Sequence, residues 1–170
     1  MAMNNPRQAM TAVALNPHHS VVVEACAGSG KTWLLVSRIL RLLLTGAAPS
    51  SILAITFTRR AAQEMQERLM DWLAFLATAD EADARIFLQQ RAMSDGEILD
   101  ALPRVKTLFT EVAFASPKLA ISTFHGWFQQ LLSAAPMGES MHDATIAESE
   151  SSLLDEAWLN LGESLNRAPE

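Results

Sequence analysis

The sequence predicts an α/β fold built on a parallel sheet, with a phosphate-binding loop between its first strand and its first long helix. Two short stretches, residues 20–25 and 52–57, have the apolar, β-branched composition of buried strands. Between them, residues 32–45 are rich in Leu and contain no Gly or Pro, which predicts a helix that ends at Gly46. Such a strand–helix–strand unit presents its ligand-binding loop at the carboxyl end of the first strand.

The composition is that of a globular domain. Hydrophobic residues make up 49% of the 170 residues and charged residues 19%, which excludes disordered and fibrous classes. The longest apolar stretch, residues 34–44, contains two arginines and is shorter than the ~18 residues that a membrane span needs. The single cysteine cannot form an internal disulfide, and the amino terminus has no secretory signal. We therefore expect a cytoplasmic protein with no membrane partner.

The net charge of −6 conceals a gradient along the chain. Residues 1–70 carry seven Lys or Arg and three Glu, a net charge of +4. Residues 71–136 carry five basic and eight acidic side chains, and residues 137–170 carry one and eight, giving −3 and −7. This asymmetry predicts a basic working surface near the amino terminus, so the acidic total does not exclude a nucleic-acid partner.

A Walker A pattern follows the first predicted strand, with Ala25 in place of its first glycine. The segment is Ala25-Cys26-Ala27-Gly28-Ser29-Gly30-Lys31-Thr32. The glycines allow backbone N–H groups to turn inward around phosphates, Lys31 would reach the β- and γ-phosphates, and Thr32 would offer its hydroxyl to Mg²⁺. The strand before the pattern and the helix after it favour a nucleotide site over an ordinary turn.

Cys26 allows two interpretations. It lies near a helix amino terminus, where the pKa of a thiol falls and its reactivity rises. A small buried residue is the commoner role for such a cysteine.

The remaining elements are predicted mainly as helices. Thr58 can cap a helix with apolar residues at helical spacing, residues 119–123 form a third short strand, and a helix follows from about 124 to 135. Residues 79–116, here called the helical insertion, contain a capping-box spacing at Ser94–Glu97 and a proline, Pro103, that interrupts or starts a helix. We expect one domain portion with a core at 18–78 and 117–136, the helical insertion, and an acidic helical end at 137–170.

The second predicted strand ends in the turn Thr56-Phe57-Thr58-Arg59-Arg60. Arginines at a helix amino terminus oppose the helix dipole, so local stability does not explain them, whereas an anionic partner would. Arginines and hydroxyls beside an exposed aromatic ring suit single-stranded nucleic acid. Taken alone, the seven residues from Thr56 to Ala62 favour the other interpretation, in which Phe57 is a core residue and the arginines are merely solvated.

The third predicted strand ends in Thr123-Phe124-His125. Because parallel strands bring their carboxyl ends to one edge, we expect both turns and the phosphate loop to open on the same side of the sheet. That coincidence favours a shared site, although a lone His125 more often caps a helix or lies at the surface.

Taken together, three ordered motifs resemble the amino-terminal ATPase domain of UvrD-like superfamily-one DNA helicases, especially the RecB/AddA-type subunits of double-strand-break repair. The motifs are Ala-Cys-Ala-Gly-Ser-Gly-Lys-Thr, Ile-Leu-Ala-Ile-Thr-Phe-Thr-Arg-Arg-Ala-Ala-Gln-Glu-Met and Ile-Ser-Thr-Phe-His-Gly-Trp-Phe. The first is generic to P-loop proteins, whereas the second is highly specific. The resemblance covers about residues 18–136.

This resemblance implies a RecA-like P-loop NTPase core and Mg·ATP hydrolysis coupled to 3′–5′ movement along single-stranded DNA. It implies ATP binding by Ala25 through Thr32, with Lys31 and Thr32 catalytic and Thr32 on the metal. It also implies possible partner subunits of a helicase–nuclease complex, and it leaves open whether Gln8 reads adenine. The implied DNA contacts are Thr56, Phe57, Thr58, Arg59, Thr123, Phe124 and His125.

The family also needs an Asp-Glu pair at the end of a buried strand and arginines from a second RecA-like domain. The Asp-Glu pair present, Asp155-Glu156, is spaced with its neighbours as the polar face of a helix. The chain therefore resembles the front part of a larger helicase. By this resemblance it is incomplete, since it ends before the catalytic acid. The alternatives are a free-standing nucleotide-binding module without turnover, a truncated inactive product, and a small P-loop kinase, the last disfavoured because the helical insertion is net acidic.

Overall fold

Two parallel strands and seven α-helices make up the residues that the computed structural model describes, which are 6–26, 28–134 and 158, with side chains from residue 9 onward. The chain divides into two compact units, residues 1–124 and 125–170. In chain order the elements are α1 (Pro6–Leu15), α2 (Lys31–Leu44), a 3₁₀ turn (Pro49–Ser51), β1 (Leu53–Thr56), α3 (Arg59–Thr78), α4 (Glu81–Gln89), α5 (Asp95–Val105), α6 (Leu108–Ala113), β2 (Ala120–Thr123) and α7 (Phe124–Ser133).

The sheet pairs the second and third predicted strands. β1 and β2 run parallel, with Leu53 opposite Ala120 and Thr56 opposite Thr123. Helix α3 packs on both strands, and the Gln66 side chain on α3 donates a hydrogen bond to the Ile121 carbonyl at 2.8 Å. The fold class predicted from the sequence is confirmed in its coarse form, a mixed helix–strand chain with a small parallel sheet.

The prediction of a first strand at residues 20–25 is wrong for the described structure. Residues 20–26 form neither a helix nor a strand, and Val22 is 95% exposed. A parallel strand is held by hydrogen bonds to a neighbour and by packing on both faces. β1 pairs with β2, and the segment at 20–26 pairs with neither of them. Its β-branched composition is therefore not sufficient to make it a strand here.

Helix α2 begins and ends where the sequence predicts. Gly46 follows its last turn with φ of 101°, a left-handed conformation that glycine adopts without a steric penalty. The Gly46 and Ala47 amides then donate to the Leu43 and Leu42 carbonyls, which closes the helix. The core lies mainly among α2, α3 and the helical insertion. Its most buried side chains include Leu40, Leu43, Leu69, Leu73, Leu76, Leu88, Ile98 and Leu108.

The helical insertion contains α4, α5 and α6. Ser94 and Glu97 form the expected capping box at the start of α5, with bonds in both directions between side chain and backbone. Pro103 lies inside α5 and marks neither its start nor its end. The expected division into core, helical insertion and acidic end stays a prediction. Of the acidic end only Trp158 is described, and it is helical and exposed.

Across the part of the chain that the structure describes, no helix is both long and apolar enough to span a membrane.

Candidate functional site

The phosphate loop turns sharply into α2 through two glycines. Gly28 and Gly30 have φ of 75° and 91°, in the region that disfavours residues with a Cβ. A Cβ built on either residue meets nothing within 4 Å, so backbone conformation, and not crowding, requires glycine here. Gly30 is the N-cap of α2 and offers no side chain to cap it, and the first turn of α2 holds no acidic residue. The first amides of this 14-residue helix therefore point out of a positive helix end.

Lys31 lies at the start of α2 with its ammonium on the loop itself. Its Nζ donates to the Ala25 carbonyl at 2.6 Å and to the Cys26 carbonyl at 2.5 Å. The Ser29 hydroxyl donates to the same Cys26 carbonyl at 2.7 Å, and the Ser29 amide donates to it at 3.3 Å. These bonds tie Ala25 and Cys26 to Ser29 and Lys31, and these exposed residues present one cation and the end of a helix. Such a combination binds anions.

A groove of about 250 Å³ lies beside this loop. Loop residues Ala25, Ser29, Gly30 and Lys31 form one wall, and Thr11 on α1 and Trp33 on α2 contribute to the remainder. A second groove of about 440 Å³ also reaches Lys31. The loop therefore borders open space that is large enough for a ligand.

Arg38 on α2 anchors the chain that leads into the loop. Its guanidinium donates to the Ala14 carbonyl at 2.9 Å, to the Asn16 carbonyl at 2.7 Å and to the His19 carbonyl at 2.5 Å. These carbonyls end α1 and begin the segment before the loop, so one side chain fixes α1 against α2.

The donor set fits a Mg·nucleotide. Loop amides, the Lys31 ammonium and the helix end would hold phosphates, and the half-buried Thr32 hydroxyl would supply an oxygen ligand of the kind that Mg²⁺ takes. Among the described residues, no group of three or more His, Cys, Asp or Glu side chains could hold a metal ion. Oxygen atoms of phosphate and water are other ligands that Mg²⁺ commonly takes.

The carboxyl ends of β1 and β2 meet at one edge. Thr56 and Thr123 are partners at the last position of the pair, and both are half-buried. Phe57 and Phe124 follow them directly in the chain and are 100% and 52% exposed. Of the three loops expected at one edge, the two turns after β1 and β2 do share it; the phosphate loop follows a segment outside this sheet, so its place at the same edge stays a prediction. The interpretation of Phe57 as a core residue is wrong, because its ring is wholly in solvent.

The residues that follow Phe57 divide their roles. The Thr58 hydroxyl accepts a hydrogen bond from the Ala61 amide at 3.1 Å and caps α3, as predicted. Arg60 pairs with Glu64 one turn along at 3.0 Å. Arg59 is exposed at the start of the helix, two residues after the exposed Phe57. An aromatic ring next to a guanidinium is a suitable contact for an unpaired base and its phosphate.

His125 belongs to the second unit, where it is exposed in the first turn of α7. In the same helix the Trp127 and Phe128 rings meet edge to face, with centroids 5.2 Å apart. Helix α7 continues the chain directly from β2.

Four sequence-predicted positions lie wholly or partly outside the described residues. They are Ala27, the side chain of Gln8, and the pair Asp155-Glu156. The backbone of Gln8 is in α1, the helix whose Thr11 borders the groove.

Three residues near the site, Trp33, Arg38 and Arg91, were not predicted from the sequence. Trp33 follows Thr32 directly, so adjacency to the motif could have drawn attention to it. Arg38 lies in an apolar helix, where a charged residue among leucines signals a specific partner. Arg91 gives no local signal, because its contacts come from α2, α3 and α4.

Comparison with known proteins identifies the kind of chain to which this geometry belongs. Residues 4–162 match the family model of the UvrD/REP helicase N-terminal domain. An ATP-dependent helicase/nuclease subunit of Levilactobacillus brevis is 33% identical over 151 residues, which is 86% of this chain and 10% of that protein. The same-named protein of Latilactobacillus sakei is 30% identical over 127 residues, 74% of this chain and 12% of that protein.

A relative with a different name shares part of the match. DNA helicase IV of Escherichia coli is 50% identical over 70 residues, covering 41% of this chain and 10% of that protein. This chain thus spans about a tenth of the length of these relatives.

Proposed function

Since this chain belongs to the UvrD/REP helicase N-terminal domain family, we propose that it is the ATP-binding, DNA-contacting N-terminal part of an ATP-dependent 3′–5′ DNA helicase used in DNA repair and recombination. The observation that carries the proposal is the phosphate loop. It joins two glycines at positive φ, a lysine ammonium and an uncapped helix end beside an open groove.

The loop residues from Ala25 to Thr32 bind the phosphates of ATP. Lys31 holds the terminal phosphates, and Thr32 coordinates Mg²⁺. In this structure the Lys31 ammonium donates hydrogen bonds to the carbonyls of Ala25 and Cys26. When ATP binds, phosphate oxygens replace these two carbonyls as hydrogen-bond acceptors. Bound ATP supplies the free energy of its hydrolysis for movement along DNA.

The edge formed by β1 and β2 contacts single-stranded DNA. Phe57 and Phe124 offer aromatic faces for base stacking, and Arg59 neutralises phosphate charge. Further hydroxyls at this edge come from Thr56, Thr58 and Thr123. The Thr58 hydroxyl also accepts the capping hydrogen bond at the start of α3. His125, in the first turn of α7, is the remaining DNA contact of the same motif.

The two strands form part of a RecA-like core. The exposed, β-branched segment at 20–25 supports a larger parallel sheet, because Val22 is almost completely exposed and the segment leads into the loop. A neighbouring strand from elsewhere in a complete helicase would bury it.

Catalysis requires groups that the motifs of this chain do not supply. An acid that activates water and arginines that stabilise the γ-phosphate charge belong to other parts of a complete helicase. Two of the relatives are named as helicase/nuclease subunits, which supports partner subunits and a nuclease activity in the assembled protein.

The experiment measures Mg·ATP binding by calorimetry with the 170-residue chain and with Lys31→Ala, and Arg85→Ala is the control. Arg85 is a surface arginine on α4 that pairs with Glu81, away from the loop. We expect the parent and the control to bind ATP and Lys31→Ala to lose binding, with hydrolysis close to background in all three. Equal binding by Lys31→Ala would overturn the proposal, and rapid DNA-stimulated hydrolysis by the parent would overturn the expected lack of a catalytic acid.

A further inference from the structure

Two buried arginines cross in opposite directions between α2 and the turn that ends α4. Arg41 on α2 donates to the carbonyls of Arg91 and Ala92 at 3.3 Å and 3.0 Å, and it pairs with Glu97 at 2.5 Å. In return, Arg91 extends from that turn toward the first turn of α2. Each arginine is only 3% exposed. The helix that carries the phosphate loop is therefore fastened to the helical insertion at two places.

Arg91 is enclosed by aromatic rings from three helices. Its guanidinium carbon lies 3.3 Å from the Phe87 ring centroid, 3.9 Å from that of Trp72 and 5.8 Å from that of Trp33. One guanidinium nitrogen donates to the Phe87 carbonyl at 2.7 Å, and the buried Nε atom has no hydrogen-bond partner among the described residues. Burial lowers the pKa of Arg91 to about 9, which still leaves it charged at neutral pH.

Packing alone does not account for this arginine. A buried cation without a carboxylate partner costs free energy, and an apolar side chain of similar size would fill the same space without that cost. Cation–π contacts offset part of the cost, and they hold the rings that they touch in place. Of the three rings, that of Trp33 belongs to α2. Trp33 lies two residues after Lys31 and borders the groove beside the phosphate loop.

We propose that Arg91 is a positioning residue for nucleotide binding: it holds Trp33, and with it the first turn of α2, so that the helical insertion is coupled to occupancy of the phosphate loop. This inference rests on the proposed binding of ATP. Arg91 touches no loop residue itself and acts through the tryptophan ring. The turn that carries it is fixed from the other side by Arg41, so a shift of α2 is transmitted to α4 and α5.

The test is a double-mutant cycle on Mg·ATP affinity, with the parent chain, Arg91→Met, Trp33→Phe and the double variant. Coupling through the ring predicts that each single variant weakens ATP binding about fivefold and that the double variant is no weaker than either. Arg91→Lys keeps the cation and should restore part of the affinity. Thermal unfolding of each variant separates loss of affinity from loss of the fold, and Arg85→Met is the control on the same insertion.

Three results would overturn the inference. The first is an unchanged ATP affinity in a folded Arg91→Met variant. The second is a double variant whose loss of ATP affinity equals the product of the two single losses, which would mean that the two residues act independently. If Arg91→Met does not fold, Arg91→Lys with parent-like stability and no coupling to Trp33→Phe contradicts the inference equally. Absence of ATP binding by the parent would overturn the proposed function first, and the parent measurement identifies that case.

Discussion

Thr56 and Thr123 are opposite one another at the last position of the parallel pair β1–β2, so the aromatic residues that follow them leave the sheet at the same edge. Thr56 and Thr123 are 67 positions apart in the chain, and four of the described helices, α3 to α6, lie between them. This pairing brings together two Thr-Phe motifs that are far apart in the chain.

Loss of the exposed ring at this edge should weaken DNA binding. We expect Phe57→Ala to reduce affinity for a short single-stranded oligonucleotide by roughly 5- to 150-fold, since stacking contributes about 1–3 kcal/mol per base. Fluorescence anisotropy at low salt measures it. Phe114→Ala is the matched control, because Phe114 is also strongly exposed but lies at the end of α6. Equal losses in both variants would contradict a specific role for Phe57.

Charge reversal beside that ring should have an effect that depends on salt. Arg59→Glu should weaken binding of the same oligonucleotide and reduce the slope of log affinity against log salt. Arg85→Glu makes the same change of charge on the helical insertion and should leave the slope nearly unchanged. A parallel change in both slopes would show a general charge effect and no contact at Arg59.

The exposed thiol in the loop should report nucleotide binding. Cys26 is exposed, and its backbone carbonyl accepts a hydrogen bond from the Lys31 ammonium. A group attached to the Cys26 sulfur would therefore crowd the phosphate loop. We expect iodoacetamide to block ATP binding and Mg·ATP to slow alkylation, both followed by mass spectrometry. Magnesium without nucleotide is the control. An alkylation rate that does not respond to Mg·ATP would remove Cys26 from the site.

The Thr58 cap should contribute to stability independently of DNA. Its hydroxyl satisfies the Ala61 amide at the start of the 20-residue helix α3, and we expect Thr58→Ala to cost about 1 kcal/mol in denaturant unfolding. Thr78→Ala is the control, since the Thr78 hydroxyl only donates to carbonyls of the last turn. A cost no larger than that of the control would show that the cap is unimportant.

Glu97 should make stability depend on pH in the acid range. Burial favours its neutral form, but hydrogen bonds from Ser94 and the charge and hydrogen bond of Arg41 outweigh that effect and lower the pKa of Glu97. A lowered folded-state pKa stabilises the fold above the unfolded pKa, and this stabilisation is lost as pH falls through the folded value.

We therefore expect Glu97→Gln to be less stable than the parent at neutral pH, with the difference shrinking as the solution is acidified. Urea unfolding at several pH values measures both. Glu81→Gln, on an exposed pair with Arg85, is the control. A difference that stays constant from neutral to acid pH would contradict the ionised pair.

Local sequence signals predicted several helix ends, although helix α1 was not predicted. The Gly46 stop, the Thr58 cap and the Ser94–Glu97 capping box each depend on bonds within a few residues, and each is present where expected. The phosphate loop was predictable for the same reason, because its glycines and lysine act on neighbouring backbone.

Contacts between distant segments decided the rest. The strand predicted at 20–25 depends on a partner strand, which its own composition cannot provide. The exposure of Phe57 depends on what packs against the end of β1, and the burial of Arg91 depends on rings from three helices. The sequence by itself determined most of the helices that follow the loop, several of their ends, and the glycine-containing turn that leads into α2. Only the tertiary structure decided which strands pair and which side chains are buried, because these depend on free energies shared between residues far apart in the chain.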